Sequence, residues 1–184
     1  MGPPEKEPPF PNYDIFQVPE HPQEILTKHY LPCNWLQIKE NAVDPAHVYF
    51  LHTIVSGAQF TEDFGNVSEW DFFETPIGMS YIDTRRLGDH LWVRINDWVP
   101  PNMHQFPSGN QLRFAREDMV YSRPTNTVWA VPVDDTSILN FRIRRLHKDQ
   151  VAQSSKSMYW GQQADRPYEN RQRMPNDYEA RVSI

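Results

Sequence analysis

The residues best equipped for chemistry lie together at positions 40–52, ENAVDPAHVYFLH. Two histidines, two carboxylates and an amide fall inside an otherwise apolar and aromatic run. His47 and His52 are the candidate metal ligands. Two neutral imidazoles joined by a carboxylate, with coordination positions left open, form the donor set that suits Fe(II). Taken as an isolated pair, the same histidines would serve equally well as partly buried side chains with ordinary partners.

A helix must position them. Asp is a preferred N-cap, and proline fits the first helical position because its missing N–H has no intrahelical acceptor to lose, so Asp44-Pro45 reads as a helix start. Five residues is an awkward separation on a regular helix, since about 100° per residue leaves the two rings about 140° apart around the axis. For both imidazoles to face one ion, the helix has to be bulged between them. Single π-turns are rare and concentrate at functional sites, so a distorted helix at His52 is an expectation of this sequence. Glycine at Val55-Ser56-Gly57 supplies the stop.

Length and composition bound the remainder. The 184 residues support one domain with a real core. Seventeen prolines against seven glycines imply stiff, extended connections. A net charge of −6 argues against nucleic-acid binding, which needs a basic stripe to neutralise phosphates. No apolar run approaches the roughly 20 residues that span a bilayer, and the first residues lack the basic-then-apolar pattern of a signal peptide. The single cysteine, Cys33, excludes an internal disulfide and fits a reducing cytoplasm; it reads as a small buried hydrophobe.

Glu, three residues, Asp, two residues, His, four residues, His resembles the mononuclear-iron motif of Rieske-type aromatic-ring oxygenases, large (α) subunit. The preceding CNWLQ and the later PIGMSY, HQFP, WAVPVDDT, GQQADRPYENRQR and MPNDYEA are similar to the phthalate dioxygenase-like branch of that family. The resemblance implies a mononuclear Fe(II) held by His47 and His52 and dioxygen-dependent hydroxylation of an aromatic or related acid. It also implies electrons from a reductase or ferredoxin, and a homotrimer or hexamer. It gives Asp44 the role of a bridge between the iron site and a neighbouring subunit's Rieske cluster, and sets Asn41 close behind the ligands, with Glu40 lining the same region. A Rieske [2Fe–2S] centre takes two cysteines and two histidines. One cysteine cannot supply it, so the cluster is expected only in a domain outside this chain.

Along the chain, residues 1–12 read as an extended proline-rich linker and 13–184 as a partial oxygenase catalytic domain. Residues 13–18 are β-prone, a short helix is expected around 22–28, and His21 and His29 read as surface or turn residues. Residues 70–81 and 91–98 form a hairpin about Gly88-Asp89, and further strands fall at 112–115, 127–133 and 137–146. In the last, Leu139, Phe141 and Ile143 alternate with Ile138, Asn140, Arg142 and Arg144, which predicts an apolar buried face and a polar exposed one. The group Trp98, Met103, His104, Phe106 and Pro107 could wall a substrate pocket or cap the sheet; the cap is the preferred reading, with His104 structural. Asp134-Asp135 reads as a solvated turn, and Arg166 and Arg171 as partners either for Glu169 or Asp165 or for a neighbouring subunit.

The fold expected is therefore α+β: a helix-grip-like curved antiparallel sheet of about six strands, the metal-site helix packed on one face, and the C-terminal helix missing. The resemblance puts the third, carboxylate ligand on a helix after PNDYEA, beyond Ile184, and promotes neither Asp177 nor Glu179. An oxygenase segment that is incomplete by itself is the first reading. A truncated, inactive small-molecule-binding helix-grip domain is the second. A zinc hydrolase is weaker, because no HExxH-type base is present.

Overall fold

The structure, a computed structural model, describes residues 3–17, 23–107, 124–145 and 166–182. Among these, seven strands form one antiparallel sheet in the order β1-β7-β6-β5-β4-β3-β2. They are β1 (Gln23–Leu31), β2 (Glu69–Thr75), β3 (Gly78–Leu87), β4 (His90–Val99), β5 (Met103–Phe106), β6 (Asn126–Asp134) and β7 (Ser137–Arg145). The α+β class is as expected.

Local chemistry explains most boundaries. The Gly88 turn between β3 and β4 takes a positive φ of 59°, which glycine adopts without a Cβ clash. The 70–81 segment contains its own turn, so there are two hairpins where the sequence suggested one: Thr75 pairs with Gly78 in the first and Leu87 with His90 in the second. The aromatic cap proves partly to be a strand, since β5 bonds to β4 and β6. The helix expected around 22–28 is instead part of β1, which pairs with β7; sheet pairing overrides a weak local preference. His21 and the strand expected at 112–115 lie outside the described residues.

The alternation in β7 is present, but the burial is reversed. Ile138 and Arg144 are buried and Phe141 is exposed. The polar row faces the helices. Arg142 donates through Nε to Asn126 Oδ1 at 3.0 Å, and its guanidinium stands 5.5 Å from the Phe106 ring centre. Internal partners let these polar groups leave water. The opposite face carries Trp129, beside Phe141 in register, and receives Tyr13 and Phe16 from the N-terminal segment at ring separations of 5.6 and 6.4 Å.

Helix α1 (Trp35–Val43) begins with a capping box: Asn34 Oδ1 accepts from Leu36 N, and Gln37 Oε1 accepts from Asn34 N. Ile38 joins Leu31, Cys33, Ala130 and Ile138 in the core, with Trp35, Tyr178 and Val182 packed against it. Helix α2 (Pro45–Tyr49) runs directly into a π-helical segment, Phe50–Val55, which ends ahead of Gly57 at φ 70°. Two short helices follow near the C-terminus, α3 (Tyr168–Arg173) and α4 (Asp177–Val182). The resemblance places the C-terminal helix after PNDYEA, beyond Ile184; the PNDYEA segment itself forms a helix, α4.

Candidate metal centre

His47 is set by the start of α2. The Asp44 carboxylate accepts from Ala46 N at 2.8 Å and His47 N at 3.2 Å, as an N-cap should. The Asp44 backbone carbonyl accepts a hydrogen bond from the His47 ring at Nδ1. His52 lies in the π-helical segment, where the wider turn swings its ring back toward His47. The two ring centres are 5.2 Å apart and steeply inclined at 73°. Thr53 supports the distortion by donating from Oγ1 to the Tyr49 carbonyl at 2.6 Å, a side-chain bond that competes with the regular helical ladder. His52 is buried, edge-on to Phe60, and its Nδ1 bonds Gln59 Oε1 at 2.7 Å.

Both imidazoles thus engage an oxygen acceptor through Nδ1 and turn Nε2 inward. What faces them is Asp177. Its Oδ1 lies 3.7 Å from His47 Nε2 and 3.2 Å from His52 Nε2. One donor atom from each of the three residues falls within 4.8 Å of the other two. A carboxylate facing the imidazoles thus comes from within the chain, whereas the resemblance places the iron's carboxylate on a later helix. Asp177 opens α4, and Asn176 and Glu179 fix that opening reciprocally. Asn176 Oδ1 accepts from Tyr178 N at 2.8 Å, and Glu179 Oε2 accepts from Asn176 N at 3.0 Å. This is a capping box, and its signature is visible in the letters NDYE. The resemblance passes over Asp177 because it sets the iron's carboxylate further on; that the capped turn presents Asp177 to the two histidines is visible only in the packing.

Glu179 is no ligand. It is buried and held by Arg166 at 2.7 Å and Arg171 at 2.9 Å, so those arginines pair with it rather than with Glu169; Asp165 lies outside the described residues. Asn41 sits behind Asp177, donating to Oδ1 at 3.4 Å while its own Oδ1 accepts from Arg181 Nε at 3.0 Å. Glu40 is exposed. The Asp44 side chain is 48% exposed, so its carboxylate remains open to solvent or to a neighbour while capping the helix. His29 is exposed, whereas His104 is buried and bonds Lys39 Nζ at 2.8 Å through Nδ1.

The charges form a coupled set. Burial alone would push the Asp177 carboxyl up, but His52, Arg181 and His47 hold it well below the usual carboxylate range. Burial pushes His52 down; Asp177, by charge and hydrogen bond, and Gln59 outweigh it and leave His52 raised. At His47 burial wins, with the neighbouring His52 adding to it, and the ring is lowered despite Asp177. An anionic carboxylate between two imidazoles, each with Nε2 facing inward, is a donor set that fits a divalent cation.

No family model matches the chain. It is 31% identical over 206 aligned residues to the tert-butanol monooxygenase / tert-amyl alcohol desaturase oxygenase subunit of Aquincola tertiaricarbonis, covering 100% of this chain and 43% of that protein. The chain is a relative of Rieske-type oxygenase large subunits. It is also 37% identical over 121 residues to the phenoxybenzoate dioxygenase subunit alpha of Ectopseudomonas oleovorans, covering 58% of this chain and 30% of that one. The chain therefore spans less than half the length of either relative. In fold it is similar to dicamba monooxygenase bound to dicamba, with a TM-score of 0.67 at 14% identity over 100% of this chain and 55% of that one. The same enzyme bound to 3,6-dichlorosalicylic acid gives 0.61 at 15% identity, over 95% and 52%. Among the described residues, no helix of this oxygenase relative is long and apolar enough to cross a membrane.

Proposed function

We propose that this chain is the iron-binding part of a Rieske-type oxygenase that hydroxylates an aromatic or related organic substrate with dioxygen. The observation that carries the reading is the convergence of His47 Nε2, His52 Nε2 and Asp177 Oδ1. These three residues would hold Fe(II), which when bound supplies the redox centre for dioxygen chemistry. The chain's own groups do the positioning. The Asp44 carbonyl and Gln59 Oε1 fix the two ring orientations, and anchoring of ligating imidazoles through their second nitrogen is what sets tautomer and basicity at metal centres. Asn41 and Arg181 hold the carboxylate from behind.

Asp44, with its carboxylate partly open beside His47, is assigned to the path by which an electron arrives from a [2Fe–2S] cluster carried outside this chain. A reductase or ferredoxin is the donor, and a trimeric or hexameric assembly is the arrangement that would bring a neighbour's cluster to Asp44. The test uses the full reading frame expressed with a reductase. NAD(P)H-driven incorporation of 18O from labelled dioxygen into one of a panel of aromatic acids, lost in His52→Ala, is the expected result. Incorporation that persists in His52→Ala would overturn the assignment.

A further inference from the structure

Gln59 touches both halves of the centre. It lies beyond the end of the π-helical segment, and its backbone N–H donates back to the His52 carbonyl at 3.0 Å. Its side-chain Nε2 donates to the Pro175 carbonyl at 3.2 Å, two residues before Asp177, and Ser56 Oγ donates to the same carbonyl at 2.6 Å. Its Oε1 meets His52 Nδ1 at 2.7 Å.

The orientation of that amide follows from its partners. A carbonyl oxygen only accepts, so the end of Gln59 facing Pro175 must be the NH2 group. The oxygen is left facing His52. An amide oxygen also only accepts, so the His52 nitrogen opposite it must carry a hydrogen. Nδ1–H is thereby fixed, and Nε2 is the nitrogen left beside Asp177 to serve as the donor atom.

We propose that Gln59 is a positioning residue for the metal centre: through one side chain it sets the tautomer and tilt of His52 and ties the π-helical segment to the Pro175 carbonyl that precedes Asp177. This rests on His47, His52 and Asp177 being the ligands. The Ser56 bond to Pro175 makes the tie double. Of these two side chains Gln59 alone joins that tie to the imidazole, so the two contributions are separable by mutation.

The experiment compares wild type with Gln59→Leu, Gln59→Glu, Ser56→Ala and His52→Ala. The first readout is anaerobic Fe(II) or Co(II) titration of the purified protein. Loss of a group that hydrogen-bonds a metal-ligating histidine commonly costs about 10–100-fold in metal affinity. Gln59→Leu should weaken binding by about that factor, and Gln59→Glu, which keeps an acceptor at Nδ1, should recover most of it. Ser56→Ala should weaken binding less than Gln59→Leu. The second readout needs no metal: the ring 15N shifts of His52 should report a hydrogen-bonded Nδ1–H in wild type and Gln59→Glu, and an altered ring state in Gln59→Leu. Wild-type affinity that is unchanged in Gln59→Leu but lost in His52→Ala would overturn the role of Gln59 and leave the metal assignment standing. Affinity unaffected by His52→Ala would instead remove the metal assignment. Ring shifts unchanged in Gln59→Leu overturn the inference whatever the metal does.

Discussion

His52 Nε2 and Asp177 Oδ1 stand 3.2 Å apart, although one side chain comes from the π-helical segment near the start of the domain and the other from the last short helix. The contact sets a carboxylate against the histidine pair, and the proposed three-ligand centre rests on it.

Its first consequence concerns protons. Metal binding must displace the His52 Nε2 proton that faces Asp177, on a ring whose pKa is raised, whereas His47, lowered by burial, holds its proton less strongly. Below the raised His52 pKa, so from somewhat above 6.5 downward, affinity should fall about tenfold per pH unit for the one proton displaced. Titrations with Co(II) across that range should show a slope near one in the logarithm of affinity; a flat profile contradicts the coupling.

The opening of α4 can be tested without metal. Replacing a side-chain N-cap by alanine costs about 1 kcal/mol, within about 0.5–2. Asn176→Ala removes the bond to Tyr178 N, and Glu179→Ala removes the return bond and leaves Arg166 and Arg171 without it. Denaturant unfolding should show both losses, the larger for Glu179→Ala. Metal affinity should drop in both, because Asp177 is presented by the same turn.

Lys39 gives a second pH signature, in stability rather than in metal affinity. Buried against the core with its ammonium against His104, it is pushed down to about 7. The unfolded chain keeps this proton up to about 10.5, so between these limits the unfolded state binds more protons and stability rises with pH. The metal-free protein should therefore gain stability relative to Lys39→Met as pH rises from about 7 to 9, before Cys33, raised by burial, ionises in the unfolded chain. Parallel pH–stability curves for the two proteins would contradict the burial of an ionisable amine here.

A second buried charge group joins β3 and β4. Asp83 is fully buried and accepts from Arg85 and, at 3.1 Å, from Arg94. The two guanidinium groups stand 5.2 and 4.9 Å from the centre of the Phe64 ring. Removing one member of a buried ion cluster leaves the others uncompensated, at about 3–5 kcal/mol. Asp83→Ala should lose on that order of stability by denaturant titration, while Asp89→Ala, in the exposed Gly88 turn, should lose little.

Much of this was legible in the letters. The Asp44-Pro45 helix start, the bulge required by five-residue His spacing and the Gly57 stop follow from helix geometry, and each stands where that geometry puts it. Strands with alternating β-branched and aromatic residues, such as β4, were also readable. What was not readable depends on distant partners. β1 is a strand because β7 offers it an edge. The polar face of β7 is buried because Asn126 and Phe106 receive Arg142, and periodicity alone cannot say which face meets the helices. Asp177 was hidden for a different reason: NDYE marks a helix start, but only packing shows that the start faces His47 and His52.

The most direct test of the three-ligand centre is anaerobic Fe(II) affinity in wild type, His47→Ala, His52→Ala and Asp177→Ala, with Glu179→Gln as the comparison that keeps a neutral side chain of the same size. The account predicts that each ligand replacement weakens binding by more than the roughly 10–100-fold expected for a merely supporting residue, with Glu179→Gln affected less. Wild-type affinity retained by Asp177→Ala would contradict it, and would place the iron's carboxylate elsewhere.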